Sequence, residues 1–94
     1  MILMEKRSMN GIEFTCFEND EVIEIQLEPE AFIYKVYPGD TMKFIPKYST
    51  PEFCWALRID HCAKGIQLFP DPPNSYSIIE IYRNNELIEN IAES

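Results

Sequence analysis

The chain is poor in the residues that carry most recognisable chemistry. It has one histidine, one tryptophan, three cysteines and three glycines among 94 residues. A single imidazole excludes a two-histidine copper centre within one chain. Cys16, Cys54 and Cys62 are odd in number and form no Cys-x-x-Cys pair, so reduced thiols are expected in place of a disulfide framework. A zinc site would need all three to meet His61, and no metal or cofactor is expected. His61 and Cys62 are adjacent, and neighbours in a strand point to opposite faces, which argues against a thiol–imidazole couple. No Ser-His-Asp order, glycine-rich phosphate loop or His-Glu-x-x-His motif occurs, so nothing marks an enzyme.

Long apolar runs are missing too. The longest, Phe53-Cys54-Trp55-Ala56-Leu57, has five residues and is far too short to span a bilayer. The first residues place their charges, Glu5, Lys6 and Arg7, after an apolar patch, the reverse of a secretory leader. No Asn-x-Ser/Thr sequon is present. Together these features predict a cytoplasmic protein with no membrane partner. Basic residues are scarce: 8 against 16 acidic, for a net charge of -8. A protein that wraps duplex nucleic acid needs the opposite balance, so that class is excluded.

What remains is 46% hydrophobic and 26% charged, the composition of a folded domain. Six Phe, five Tyr and seven Pro favour strands and turns over helices. Residues 1–9 read as an N-terminal arm and residues 10–94 as a single β domain. Short alternating segments predict an all-β fold, a small antiparallel barrel or two-sheet sandwich of about seven or eight strands joined mainly by hairpins.

Apolar matching across turns gives the expected registers. Ile12–Glu18 and Glu21–Glu28, closed by Asn19-Asp20, pair Cys16 with Ile23, Phe14 with Ile25 and Ile12 with Leu27. Phe32–Tyr37 and Thr41–Ile45, closed by Pro38-Gly39-Asp40, pair Val36 with Met42 and Tyr34 with Phe44, setting Lys35 beside Lys43. Pro46 through Pro51 is a surface loop. Phe53–His61 and Ile66–Phe69 pair Ile59 with Leu68, with Gly65 supplying a left-handed turn position. Pro70 through Asn74 is a stiff connector. Tyr76–Arg83 turns at Asn84-Asn85, pairing Arg83 with Glu86, Tyr82 with Leu87 and Ile81 with Ile88. Leu87, Ile88, Ile91 and Ala92 also sit at helical spacing.

The charge is unevenly spread. Residues 11–34 hold Glu13, Glu18, Asp20, Glu21, Glu24, Glu28 and Glu30 and no base. The register puts Glu13, Glu24, Gln26 and Glu28 on one face. Such a field accelerates the approach of a basic protein partner, and the leading expectation is a small non-enzymatic interaction module of inhibitor, immunity or adaptor type. The ordinary alternative is a solvated face that keeps the protein dispersed. A contrasting group, Lys35, Tyr37 and Lys43, suggests instead a β-barrel that binds a small anionic molecule or a short single-stranded nucleic acid. Sheet edges in so small a domain also make a homodimer an expected state.

Overall fold

A computed structural model of the chain describes residues 10–62 and 64–93; the expected arm at residues 1–9 lies outside them. The strands are β1 (Ile12–Thr15), β2 (Ile23–Leu27), β3 (Phe32–Val36), β4 (Thr41–Lys47), β5 (Cys54–Asp60), β6 (Gly65–Asp71), β7 (Ile78–Arg83) and β8 (Glu86–Ala92). They form two four-stranded sheets, one in the order β1-β4-β7-β8 and the other β3-β2-β6-β5. Neither closes on itself. The all-β expectation therefore resolves to a sandwich.

Alternation explains which faces meet. In β4, Met42, Phe44 and Pro46 are buried while the residues between them are half-buried. Ile79 and Ile81 of the neighbouring β7, with Ile25, Leu27, Val36 and Leu68 from the facing sheet, extend the core. Each such side chain contributes about 1.5–3 kcal/mol by leaving water. Phe44 stands at the centre, with Phe14 and Tyr34 edge-on to its ring at 5.9 and 5.7 Å. Tyr34 of β3 donates its hydroxyl to Glu89 Oε1 of β8 at 2.6 Å, tying one side of the sandwich. On the other side the Trp55 indole N–H of β5 donates to the Asn10 carbonyl at 2.6 Å.

Three connections are hairpins, β2–β3, β5–β6 and β7–β8, and the other four cross between sheets. The expected β1–β2 hairpin does not form. β1 pairs with β4, Ile12 opposite Phe44 and Phe14 opposite Met42. Neither Asn19 nor Asp20 takes a positive φ. Phe17 and Asp20 instead close a turn, with Phe17 N–H on Asp20 Oδ2 at 2.8 Å, that carries the chain to the second sheet. The β3–β4 hairpin is likewise replaced. Asp40 N–H donates to the Tyr37 carbonyl and Gly39 has φ 93°, a type II turn that splays strands. β3 pairs with β2, so Lys35 lies opposite Glu24 and nowhere near Lys43.

The β5–β6 hairpin forms two residues out of the expected register, with Ile59 opposite Ile66 and Leu57 opposite Leu68. Lys64, φ 53°, takes the left-handed position in its turn. Gly65 has another reason to be glycine: a Cβ there would come 2.4 Å from the Glu24 carbonyl oxygen, where β2 and β6 run parallel. The β7–β8 hairpin starts as expected, with Asn84 and Asn85 at φ 51° and 70° and Arg83 opposite Glu86. A bulge then puts Ile81 opposite Glu89 in place of Ile88, and residues 86–92 are strand, not helix.

Two prolines also depart from their expected places. Pro46 is buried inside β4 and Pro70 lies inside β6. Each stands just past the point where one neighbouring strand stops, at Phe44 for β1 and near Leu68 for β2, so no ladder donor is missed.

Candidate functional site: an acidic cleft at the foot of the sandwich

The two ends of the sandwich are built differently. At the upper end, where β1 finishes and β4 begins, Asp40 accepts from Arg83 Nη1 at 2.7 Å and from Asn84 Nδ2 at 3.0 Å. Asn84 Oδ1 in turn accepts from the Thr41 N–H at 2.9 Å. The hydrogen bond from Asn84, together with the Arg83 guanidinium, holds the Asp40 carboxyl below the usual carboxylate range, against a smaller opposing effect of burial. Arg83 also stands over the Tyr37 ring, 6.0 Å from its centroid.

The foot contains a cleft of about 360 Å³. The turn after β2 contributes Glu28, Pro29 and Glu30 to its walls; the end of β6 and its exit contribute Phe69, Pro70, Asp71 and Pro73; Tyr76 and Glu93 complete them. Five prolines or aromatics and four carboxylates thus surround one opening, with no lysine or arginine among the described lining residues. Both cis peptide bonds, Glu28-Pro29 and Asp71-Pro72, flank it. Burial, with Glu93 and Glu30 nearby, pushes the Tyr76 phenol up to about 12. That field favours cations and disfavours anions.

Glu28 joins the cleft to the face above it. Its Oε2 accepts from Gln26 Nε2 at 2.6 Å and from Gln67 Nε2 at 2.9 Å. Gln67 in turn accepts from Arg58 across β5–β6. Glu24, Gln26 and Glu28 therefore share the outer face of the second sheet, as alternation required, since Ile25 and Leu27 point inward. Glu13 does not join them. It lies on the outer face of the first sheet, opposite Lys43.

Lys35, Tyr37 and Lys43 are dispersed. Lys35 is on the outer face of the second sheet, Lys43 on that of the first with its Nζ on Asn85 Oδ1 at 3.1 Å, and Tyr37 is in the upper turn. The three cysteines and the histidine do not gather into one group among the described residues either. Cys16 is buried, its thiol pushed up by burial and by Asp20 and Asp40, and it donates to the Glu21 carbonyl at 3.4 Å. Cys54 is exposed, and His61 and Cys62 are exposed in the β5–β6 turn. Among the described residues, no three His, Cys, Asp or Glu side chains converge as a metal-holding group.

The cleft's aromatic walls and three of its carboxylates escaped the sequence reading. The signal available was two stiff proline-bearing segments, Glu28-Pro29-Glu30 and Pro70-Asp71-Pro72-Pro73, each carrying acid. Nothing local says that they meet. Comparison with protein-family models, with curated proteins and with solved structures gave no match.

Proposed function

We propose that the protein is a binding module that docks a basic protein partner on the outer face of its second sheet, without chemistry of its own. A cationic side chain of the partner enters the cleft at the foot. The observation that carries this reading is the composition of that cleft: Glu28, Glu30, Asp71 and Glu93 around Phe69, Tyr76 and three prolines. Carboxylates supply Coulomb attraction for a guanidinium or ammonium, and aromatic faces supply a second, orientation-dependent attraction. Glu24 and Gln26 extend the surface upward along β2 and steer the approach. The partner is thus a protein with exposed arginine or lysine, as expected of an inhibitor or adaptor that neutralises or recruits it.

The test uses a hexa-arginine peptide as the probe, titrated calorimetrically at low salt. Binding is expected, weakening steeply as salt rises. Glu28→Lys combined with Asp71→Lys should weaken it by about tenfold or more. Glu13→Lys, on the other sheet, should change it little. Equal losses from both variants would mean diffuse attraction to a net-negative protein and would remove the cleft from the account.

A further inference from the structure

Among the described residues four strands have a free edge, and three are blunted against pairing with another chain. β1 has only four residues. β8 carries Glu86 and Glu89 and is bent by the bulge beside Ile88. β3 has Lys35 as its one charge, and no carboxylate on β3 could meet it in a self-pair. β5 is different. It runs seven residues without bulge or proline, and its free edge is flanked by apolar side chains. Leu57 and Ile59 belong to the inner face, yet they are 49% and 64% exposed. An edge of this kind is a template for a further strand.

The charges on β5 say which strand it takes. In an antiparallel pairing of β5 with a second β5, two-fold symmetry restricts the registers, because inward residues must stay opposite inward residues. Centring on Arg58 sets guanidinium against guanidinium. Centring on Leu57 leaves Arg58 opposite Ala56. Centring on Ile59 sets Ile59 against Ile59 and Arg58 against Asp60, twice over. Of these three registers only the last sets charge against opposite charge; it places Ile59 against Ile59 and Leu57 against His61 of the turn. Arg58 and Asp60 already stand 3.8 Å apart on the outer face within one chain, so the four groups of two chains would form one alternating row.

We propose that the free edge of β5 is a self-recognition surface: two copies of this chain pair β5 with β5 in antiparallel fashion about Ile59, joining two four-stranded sheets into one of eight strands. Ile59 of one copy then meets Ile59 of the other, and each Leu57 lies diagonal to that pair on the same face. The cleft lies at the opposite end of β6 from the Gly65–Asp60 pair, so both clefts of the dimer stay open.

Sedimentation of the full chain at rising concentration tests this. The expected mass is twice 11.0 kDa, falling to 11.0 kDa on dilution. Ile59→Lys should give a folded monomer, since that side chain is already solvent-facing in the single copy. Arg58→Asp should weaken association by about tenfold or more, by placing carboxylate against carboxylate. Arg58→Asp together with Asp60→Arg should restore it, because the swap recreates the same row. A mass of 11.0 kDa at every concentration overturns the proposal, and so does a dimer that Ile59→Lys leaves intact. Failure of the double swap to recover what the single change lost overturns the register. None of these outcomes bears on whether the cleft binds hexa-arginine.

Discussion

The upper end and the foot of this sandwich both carry carboxylates, and they use them in opposite ways. At the upper end Asp40 is surrounded by donors, Arg83 and Asn84, and its charge is spent on holding β4 to the β7–β8 turn. At the foot Glu28, Glu30, Asp71 and Glu93 line a shared cleft, and no lysine or arginine is among its described lining residues. A carboxylate paired with a guanidinium helps to hold the fold, whereas carboxylates gathered around one opening raise the local negative potential there.

The upper end should be the fragile one to steric insult. Gly65 sits where β2 and β6 run parallel, with the Glu24 carbonyl oxygen 2.4 Å from any added Cβ. The contact is backbone on both sides, so no side chain can swing away. Gly65→Val is expected to cost about 3 kcal/mol or more, read as a lower urea midpoint. Pro73→Ala at the foot, in an exposed connector, should cost less than about 0.5 kcal/mol. Similar losses at both positions would break the distinction between a rigid end and an open one.

Acid should separate the ends next. The folded-state value of Asp40 lies below the ordinary 3.8, so the folded protein favours its ionised form. Its contribution is complete above that ordinary value and disappears as the pH falls through the folded-state value. Asp40→Asn should therefore lower stability at neutral pH and flatten its decline in acid, measured by thermal melts at stepped pH. An acid limb unchanged by Asp40→Asn would show that Arg83 and Asn84 do not depend on its charge.

Much of this architecture was legible where the chemistry is local. Asn84-Asn85 specified its turn because asparagine tolerates the positive φ that a two-residue hairpin needs, and the first two pairs of β7 and β8 followed. The class of fold was legible from alternation alone. The partners of β1, β2, β3 and β4 were not, because alternation fixes which face a residue takes but not which strand lies beside it. Ile12 and Phe14 match Phe44 and Met42 as well as they match Leu27 and Ile25. The β2–β3 hairpin went unnoticed because its turn holds no glycine or asparagine: Ala31 takes φ 64° after a cis proline. For the site, Glu24, Gln26 and Glu28 were readable as one face of one strand. The cleft was not, since it draws on three segments that only the sandwich brings together.

The smallest expected effect probes the foot from within. Tyr76 is pushed to about 12 by burial first, then by Glu93 and Glu30. Because its folded value exceeds the unfolded one near 10, the neutral phenol is favoured in the fold. That stability is present below 10 and lost as the pH rises through about 12, so alkali attacks the foot as acid attacks the upper end. Glu93 accepts a hydrogen bond from the Asn74 N–H at 2.7 Å, and Glu93→Gln keeps an acceptor there while removing the charge. Followed by ultraviolet difference absorbance against Tyr76→Phe as the blank, the phenol should titrate lower in Glu93→Gln, yet still above its ordinary value, because burial is untouched. Added salt should lower it in the parent and by less in the variant, where the charge of Glu30 still acts. An unmoved titration would mean that Glu93 does not project its charge into the cleft, and the attraction for a cation would then rest on Glu28, Glu30 and Asp71.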